Sequence, residues 1–309
     1  MTRLPAEVEA FWTRTLAASR AAGAPASFLP QETPLRGVRV YDVRFSGFAG
    51  ERIAAWLILP EGPGPHPAVV EYVGHGGGRG YPHEHLAWAG CGFAHLVMDP
   101  RGQGSGWRLG VTPDSGPLPP GSDAFFTRGI TDEHDYFYRR MFADGVLAVD
   151  AIREHPDVDA SRVAVMGTSQ GGGVAVAVAS LRGDVRATIA DVPAFGAFPL
   201  AIELAEEGPY EQIARYLAVH RDEVDTVMRV LGFFDTTVLG PAATAPALFS
   251  LGGRDVLVPP LSIRAAIDAY GGTTEVHEYP FNGHEGGGSL HQLRAIEWLL
   301  ALDGEGKAA

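Results

Sequence analysis

Gly167-Thr168-Ser169-Gln170-Gly171 follows the apolar run Val163-Ala164-Val165-Met166 and precedes the small-residue run Gly172-Gly173-Val174-Ala175-Val176-Ala177. A Gly-x-Ser-x-Gly set between a buried strand and a helix is the sharp turn that exposes a nucleophilic serine at the end of a sheet. Such a turn is strained and its flanking backbones pack closely, which leaves no room for a Cβ at the glycine positions. With 40 glycines in 309 residues the pattern alone says little. Its setting decides: a β-branched run suited to a strand lies before it and a helix-compatible run lies after it. Ser169 is therefore read as a nucleophile.

Working outward, Ala68-Val69-Val70-Glu71-Tyr72-Val73 reads as a buried strand that leads into a glycine-rich loop from Gly74 to Gly80. Strands are also expected over Phe93–Met98, Arg162–Met166, Val185–Asp191, Ala247–Leu251 and Thr273–Tyr279, with a helix over Tyr138–His155 and helices after the last two strands. Strands alternating with helices predict an α/β fold with a mostly parallel central sheet covered on both faces. Upstream, Glu7–Ala21 has helical periodicity, with Phe11, Trp12 and Leu16 on one side. Gly37–Phe45 and Arg52–Leu59 look like an antiparallel opening to the same sheet. Two insertions stand out: residues 105–135, rich in Gly, Pro and Asp, and residues 196–240, amphipathic helices with no strand between them, as in a cap. No repeat or low-complexity linker divides the chain, so residues 1–309 are expected to form a single domain carrying these insertions.

Composition narrows the partners. A formal charge of −13 argues against nucleic acid and anionic membrane. No segment is long and apolar enough to span a bilayer, and Met1-Thr2-Arg3-Leu4-Pro5 lacks the basic-then-apolar order of a secretory signal. Cys91 is the single cysteine, so no internal disulfide can form and a cytoplasmic location is expected. Between Gly90 and Gly92, Cys91 reads as a small buried filler.

A serine nucleophile needs a base to take its proton and a carboxylate to hold that base in the right tautomer. In α/β-hydrolases these follow the serine in the order acid, then His, on loops after later strands. Asp255, in Gly252-Gly253-Arg254-Asp255-Val256, and His284, in Asn282-Gly283-His284-Glu285, occupy such positions. Asp191, at the end of an earlier strand, is the second choice for the acid. His277 lies inside a strand and His291 inside a helix, so neither is placed to serve as the base. Metal is not expected: Gly288 stands where His-Glu-x-x-His would need its second histidine, and His83 and His85 flank Glu84 with no evident third ligand. The oxyanion of a tetrahedral intermediate needs donors, and the backbone N–H of Gln170, directly after the serine, is one. The other is expected in the loop His75-Gly76-Gly77-Gly78 after the Ala68–Val73 strand.

Arg101-Gly102-Gln103, Gly167-Thr168-Ser169-Gln170-Gly171 and His284-Glu285 together resemble the RGQ, GxSQG and HE motifs of carbohydrate esterase family 7, the acetyl xylan esterases and cephalosporin C deacetylases. Gly77–Gly80, Arg101–Trp107, Tyr138-Arg139-Arg140, His284–Ser289 and Asp255 with Pro259-Pro260 are similar as well, so the resemblance runs from about residue 35 to residue 300. It implies Ser169 as nucleophile, His284 as base, Asp255 as orienting acid and Gln170 N–H as an oxyanion donor. The family's second donor is the backbone N–H of a tyrosine, and His75 stands at the matching position; the literal glycine-rich reading puts that donor at Gly76 or Gly77 instead. Arg101, Gln103 and Glu285 are implied as supports of the site. The resemblance further implies hydrolysis of acetyl esters of small sugars and of cephalosporin C without metal or organic cofactor. It implies a ring-like homohexamer too, and the proline content of residues 105–135 with the aromatics Phe125, Phe126 and Tyr136 makes that insertion the expected part of the interface.

Two rivals are distinguishable. A serine peptidase of the prolyl-oligopeptidase type, or another short-chain carboxylesterase, would share the elbow and triad; such peptidases add a propeller for which this chain has no room. A non-catalytic hydrolase-fold binding protein would commonly have lost one of Ser169, Asp255 and His284, and all three are present.

Overall fold

In the computed structural model, which describes residues 4–116, 125–302 and 304, the helix α1 (Ala6–Ala21) leads into strands β1 (Ser27–Gln31), β2 (Val38–Ser46), β3 (Arg52–Pro60) and β4 (His66–Tyr72). Then come α2 (Leu86–Gly90), β5 (Ala94–Met98), α3 (Phe137–Ile152), β6 (Val158–Thr168), α4 (Gln170–Arg182) and β7 (Thr188–Asp191). Four helices follow without a strand: α5 (Phe198–Leu204), α6 (Pro209–Val219), α7 (Val224–Leu231) and α8 (Thr236–Leu239). The chain closes with β8 (Ala247–Gly252), α9 (Pro260–Ala269), β9 (Thr274–Tyr279) and α10 (Gly288–Leu302).

The nine strands form one sheet in the order β1-β2-β3-β5-β4-β6-β7-β8-β9. Pairing is antiparallel from β1 through β3 to β5 and parallel from β5 to β9. This is the α/β-hydrolase fold. Alternation in β6 shows why both faces are covered: Val163 and Val165 join the cluster built with α3 and α4, whereas Ala164 and Met166 join Trp88 of α2 and Ala295, Ile296 and Leu299 of α10.

α4 is buried along nearly its whole length, and its small residues are what let it lie so close. At Gly145 of α3 a Cβ would come within 3.0 Å of both Val174 and Val178. The helices α5–α8 lean on the segment after β7, where the Asp235 carboxylate accepts from the N–H groups of Ala197, Phe198 and Thr237.

Two expectations change here. Phe126 and Tyr136 are buried inside the chain, packed on Tyr138, Phe195 and Phe234, and so are not interface groups. Residues 117–124 of the 105–135 segment lie outside the described residues. Cys91 is only half-buried, at the end of α2, because the turn that follows brings it to the rim of its cluster.

Candidate active site

The strand order reverses at β4/β6: the chain moves outward from β4 to β5 on one side and from β6 to β9 on the other. Such a switch point leaves a crevice beyond the carboxyl ends of the two strands, because their following loops part in opposite directions. The loops leaving it here are Gly74-His75 and Ser169-Gln170. Tyr72 pairs with Gly167, so the two loops leave the sheet side by side, and His75 and Gln170 line one cavity.

Ser169 has φ 59° and ψ −120°, a left-handed backbone costly for a residue with a side chain. Packing enforces it. A Cβ at Gly171 would fall 1.9 Å from the Tyr72 carbonyl oxygen, and one at Gly167 would fall 2.3 Å from the Gly171 backbone. Ser169 N–H donates to Asp191 O at 2.8 Å, and Ser169 O accepts from Gly173 and Ala194 at 3.0 and 2.9 Å. Positive φ recurs just beneath, at Val192, Phe195 and Ala197.

His284 Nδ1 donates to Asp255 Oδ2 at 2.7 Å. Asp255 is itself fixed, since its Oδ1 accepts from the N–H groups of Leu257 and Val258 at 2.9 Å each. Its side chain is fully buried, whereas that of His284 is about a quarter exposed. Ser169, Gln170, His75 and His284 all border one cavity of about 380 Å³, walled by Phe126, Ala194, Pro209, Tyr210, Leu257 and Val258. Asp191 is not part of this set: its carboxylate lies 2.9 Å from His291 Nε2.

The glycine-rich loop sorts its own donors. Gly76 N–H donates to Gln103 Oε1 at 2.7 Å and Gly77 N–H to Gly74 O at 3.2 Å. The N–H groups of His75 and Gln170 have no protein acceptor among the described residues. The glycines have a packing reason as well. A Cβ at Gly77 would meet the Trp107 ring at 2.5 Å, and one at Gly78 would meet the Gly110 backbone at 2.3 Å. Burial lowers the pKa of the His75 imidazole, only partly countered by the Gln170 side chain, so the ring is neutral at neutral pH. It stands edge-to-face against Phe125 and Phe126.

Gln103 and Arg101 brace these loops. The Gln103 and Gln170 amides bond to each other at 3.0 and 3.2 Å, and Gln170 Oε1 also accepts from Tyr138 Oη at 2.8 Å. Arg101 is fully buried and donates to both oxygens of Asp144 at 2.6 and 2.8 Å, and to Glu51 at 2.6 Å. Burial alone would lower the Arg101 pKa, but Asp144 and Glu51 outweigh it and raise it. Replacing Arg101 with methionine leaves the buried Asp144 carboxylate with the Phe48 N–H and no countercharge. Urea denaturation of Arg101→Met is expected to show a loss of about 3–5 kcal/mol; a loss under about 1 kcal/mol would contradict this account of the pair. Glu285 does less. It is exposed and closes its own turn by accepting from Asn282 Nδ2 and Gly283 N–H, which hold its carboxyl below the usual range.

The possible metal ligands sit elsewhere. His85 is buried, donates Nε2–H to Arg79 O and lies with His95 against Glu71; His83 stacks on Tyr81. Among the described residues Asp132, Glu133 and His134 lie close enough to share an ion, and none of them lines the cavity. The sequence reading missed Tyr138 as the brace of Gln170 and Trp107 and Tyr210 as cavity walls. The first two lie in Tyr138-Arg139-Arg140 and Arg101–Trp107, stretches that carry the family resemblance, which was the signal available.

A family model described as acetyl xylan esterase (AXE1) matches residues 1–302. The fold superposes on an acetyl xylan esterase from Paenibacillus sp. R4 with a TM-score of 0.90 and 33% identity, covering 97% of this chain and 96% of that one. It superposes on acetyl xylan esterase 1 from Thermoanaerobacterium sp. JW/SL YS485 with a TM-score of 0.88 and 28% identity, covering 98% and 95%. Acetyl esterase Axe7A of Xylanibacter ruminicola is 23% identical over 263 residues, which are 84% of this chain; the chain spans 58% of the length of that curated relative. Prolyl endopeptidases share the fold at 17% identity and a TM-score of 0.63.

Proposed function

The chain belongs to the acetyl xylan esterase family, a family of carboxylic ester hydrolases, and on that premise we propose that it removes acetyl groups from small acetylated sugars through an acetyl-Ser169 intermediate. Acetylated xylo-oligosaccharides are the foremost substrates in this reading, and cephalosporin C, another small acetyl ester, belongs with them. One observation carries it: the hydrogen-bonded His284–Asp255 pair opens onto the cavity that holds Ser169 and the two uncommitted N–H groups.

Ser169 Oγ attacks the acetyl carbonyl carbon as His284 Nε2 takes its proton, and Asp255 steadies the imidazolium through Nδ1–H. Negative charge on the carbonyl oxygen is met by the N–H groups of Gln170 and His75, at the positive end of α4. The bond to the sugar oxygen then breaks, and His284 returns the proton to that oxygen. Water, deprotonated by His284, attacks acetyl-Ser169 and releases acetate. The cavity wall of Phe126, Tyr210 and Leu257 surrounds a short acyl group with apolar surface.

Acetate release from acetylated xylo-oligosaccharides, with Ser169→Ala run alongside, tests the reading. Release by the wild type that vanishes in the variant is the expected result. Intact sugar esters with aryl acetates still cleaved would keep the serine chemistry and overturn the sugar leaving group. A ring-like homohexamer and a cytoplasmic location belong to the same reading through the family resemblance. Light scattering that gives a monomer would remove the first, and recovery of the protein from culture medium the second.

A further inference from the structure

Trp107 borders the catalytic cavity and keeps 59% of its surface exposed, an unusual state for the largest apolar side chain. It is not loosely held. Its Nε1–H donates to His75 O at 2.9 Å, and the edge of its ring lies in a cradle of glycines. A Cβ at Gly77 would come 2.5 Å from Cζ2, and positions 74 and 76 would also be in contact with the ring. The backbone around it is pinned too, with Gly106 and Gly104 N–H both donating to Gly76 O and Gly80 N–H to Leu109 O. The chain thus spends glycines and hydrogen bonds to fix a large flat ring at the mouth of the site and leaves most of it to solvent. The Arg108 guanidinium lies over one face of the ring, 4.9 Å from its centroid, with Glu84 3.6 Å from Arg108, so the other face is the one open to a ligand.

We propose that Trp107 is the platform on which the sugar ring of the ester lies while its acetyl group enters the cavity, a specificity-determining residue for the leaving group. The inference rests on the deacetylase reading above and extends it to the part of the substrate that departs. A pyranose has the matching chemistry. Its axial C–H groups form an apolar face that covers an indole, and its equatorial hydroxyls project outward beyond the edge of the ring. A rigid aromatic contributes such contact at little entropic cost, because its orientation is fixed before binding.

The test compares Trp107→Ala and Trp107→Phe with the wild type on two substrates, acetylated xylo-oligosaccharides and ethyl acetate, whose leaving group has no ring to stack. The Ala variant is expected to raise KM on the sugar esters by about tenfold more than on ethyl acetate, with kcat on the sugar esters changed much less. The Phe variant keeps a ring but loses the bond to His75 O, and is expected to restore most of the lost sugar affinity. Equal losses on both substrates, with no recovery in the Phe variant, would overturn the platform: Trp107 would then act only by holding the His75 loop. Unchanged sugar kinetics in the Ala variant would overturn it as well. Failure of the deacetylase reading looks different, because the wild type itself would leave the sugar esters intact while cleaving ethyl acetate, and the platform would fall with it.

Discussion

Ser169→Ala is expected to lower kcat for acetyl ester hydrolysis by roughly four to six orders of magnitude while the fold stays intact. The loss is large because, in the proposed mechanism, Ser169 forms the acyl intermediate; what remains would come from the proposed oxyanion donors and binding alone. The fold survives because every structural contact of Ser169 is made by its backbone. Its N–H donates to Asp191 O and its carbonyl accepts from Gly173 and Ala194, and Oγ has no hydrogen-bond partner among the described residues. Alanine has the same Cβ and meets the same cost at φ 59°, so unfolding free energy should move by less than about 0.5 kcal/mol. Steady-state kinetics with a urea melt on the same preparation check both halves. A well-folded variant with more than about one per cent of wild-type kcat would remove Ser169 from the mechanism.

Asp255→Asn is expected to cost about ten-thousandfold in kcat at neutral pH, and the geometry gives the reason. Asp255 Oδ1 faces two N–H donors, those of Leu257 and Val258, while Oδ2 faces His284 Nδ1. An asparagine must turn its carbonyl oxygen toward the two backbone donors, since an NH2 group there would oppose N–H with N–H. Its NH2 is then left facing His284 Nδ1 and can only donate. That selects the His284 tautomer with its proton on Nε2, the nitrogen that accepts from Ser169 in the proposed mechanism. Affinity and melting temperature should change little, because both backbone bonds survive. Asp191→Asn is the matched comparison: Asp191 faces His291, so kcat should fall far less. A loss below about tenfold in Asp255→Asn, or a larger loss in Asp191→Asn, would reassign the acid.

How much of this was legible in the sequence depends on how local the physics is. The strands of the central sheet announced themselves because β4, β6 and β8 are buried on both faces and are written in runs such as Ala68-Val69-Val70 and Val163-Ala164-Val165. β1 did not, because an edge strand that is mostly exposed and contains Pro30 has no hydrophobic pattern to read. After a single buried Val158, residues 159–162 of β6 are mostly polar and partly or fully exposed, so the strand's start lay ahead of the apolar run that marks it. The elbow at Ser169 and the hydrogen-bonded His284–Asp255 pair were legible because each residue sits at a strand end in a fixed chain order.

The scaffold under them was not legible. Arg101 finds Asp144 and Glu51, each more than 40 residues away in the chain, on α3 and just before β3. No spacing rule connects them. The loop His75-Gly76-Gly77-Gly78 shows the same limit from the other side. Sequence could show that glycines were needed there, and only packing shows that Trp107 and Gly110 lie across two of them. Phe126 and Tyr136 looked like surface aromatics of an insertion because their neighbours are Gly, Pro and Asp. They are buried because the chain folds back onto Tyr138, Phe195 and Phe234.

Covalent labelling asks whether Ser169 is the nucleophile without relying on any variant. The intact protein would be treated with an organophosphonate until the reaction is complete, its residual esterase activity followed, and its peptides mapped by mass. A single phosphonyl group on Ser169 is expected, with activity lost in proportion to the label. Full esterase activity with Ser169 unmodified, or inactivation by a label on another residue, would contradict that expectation.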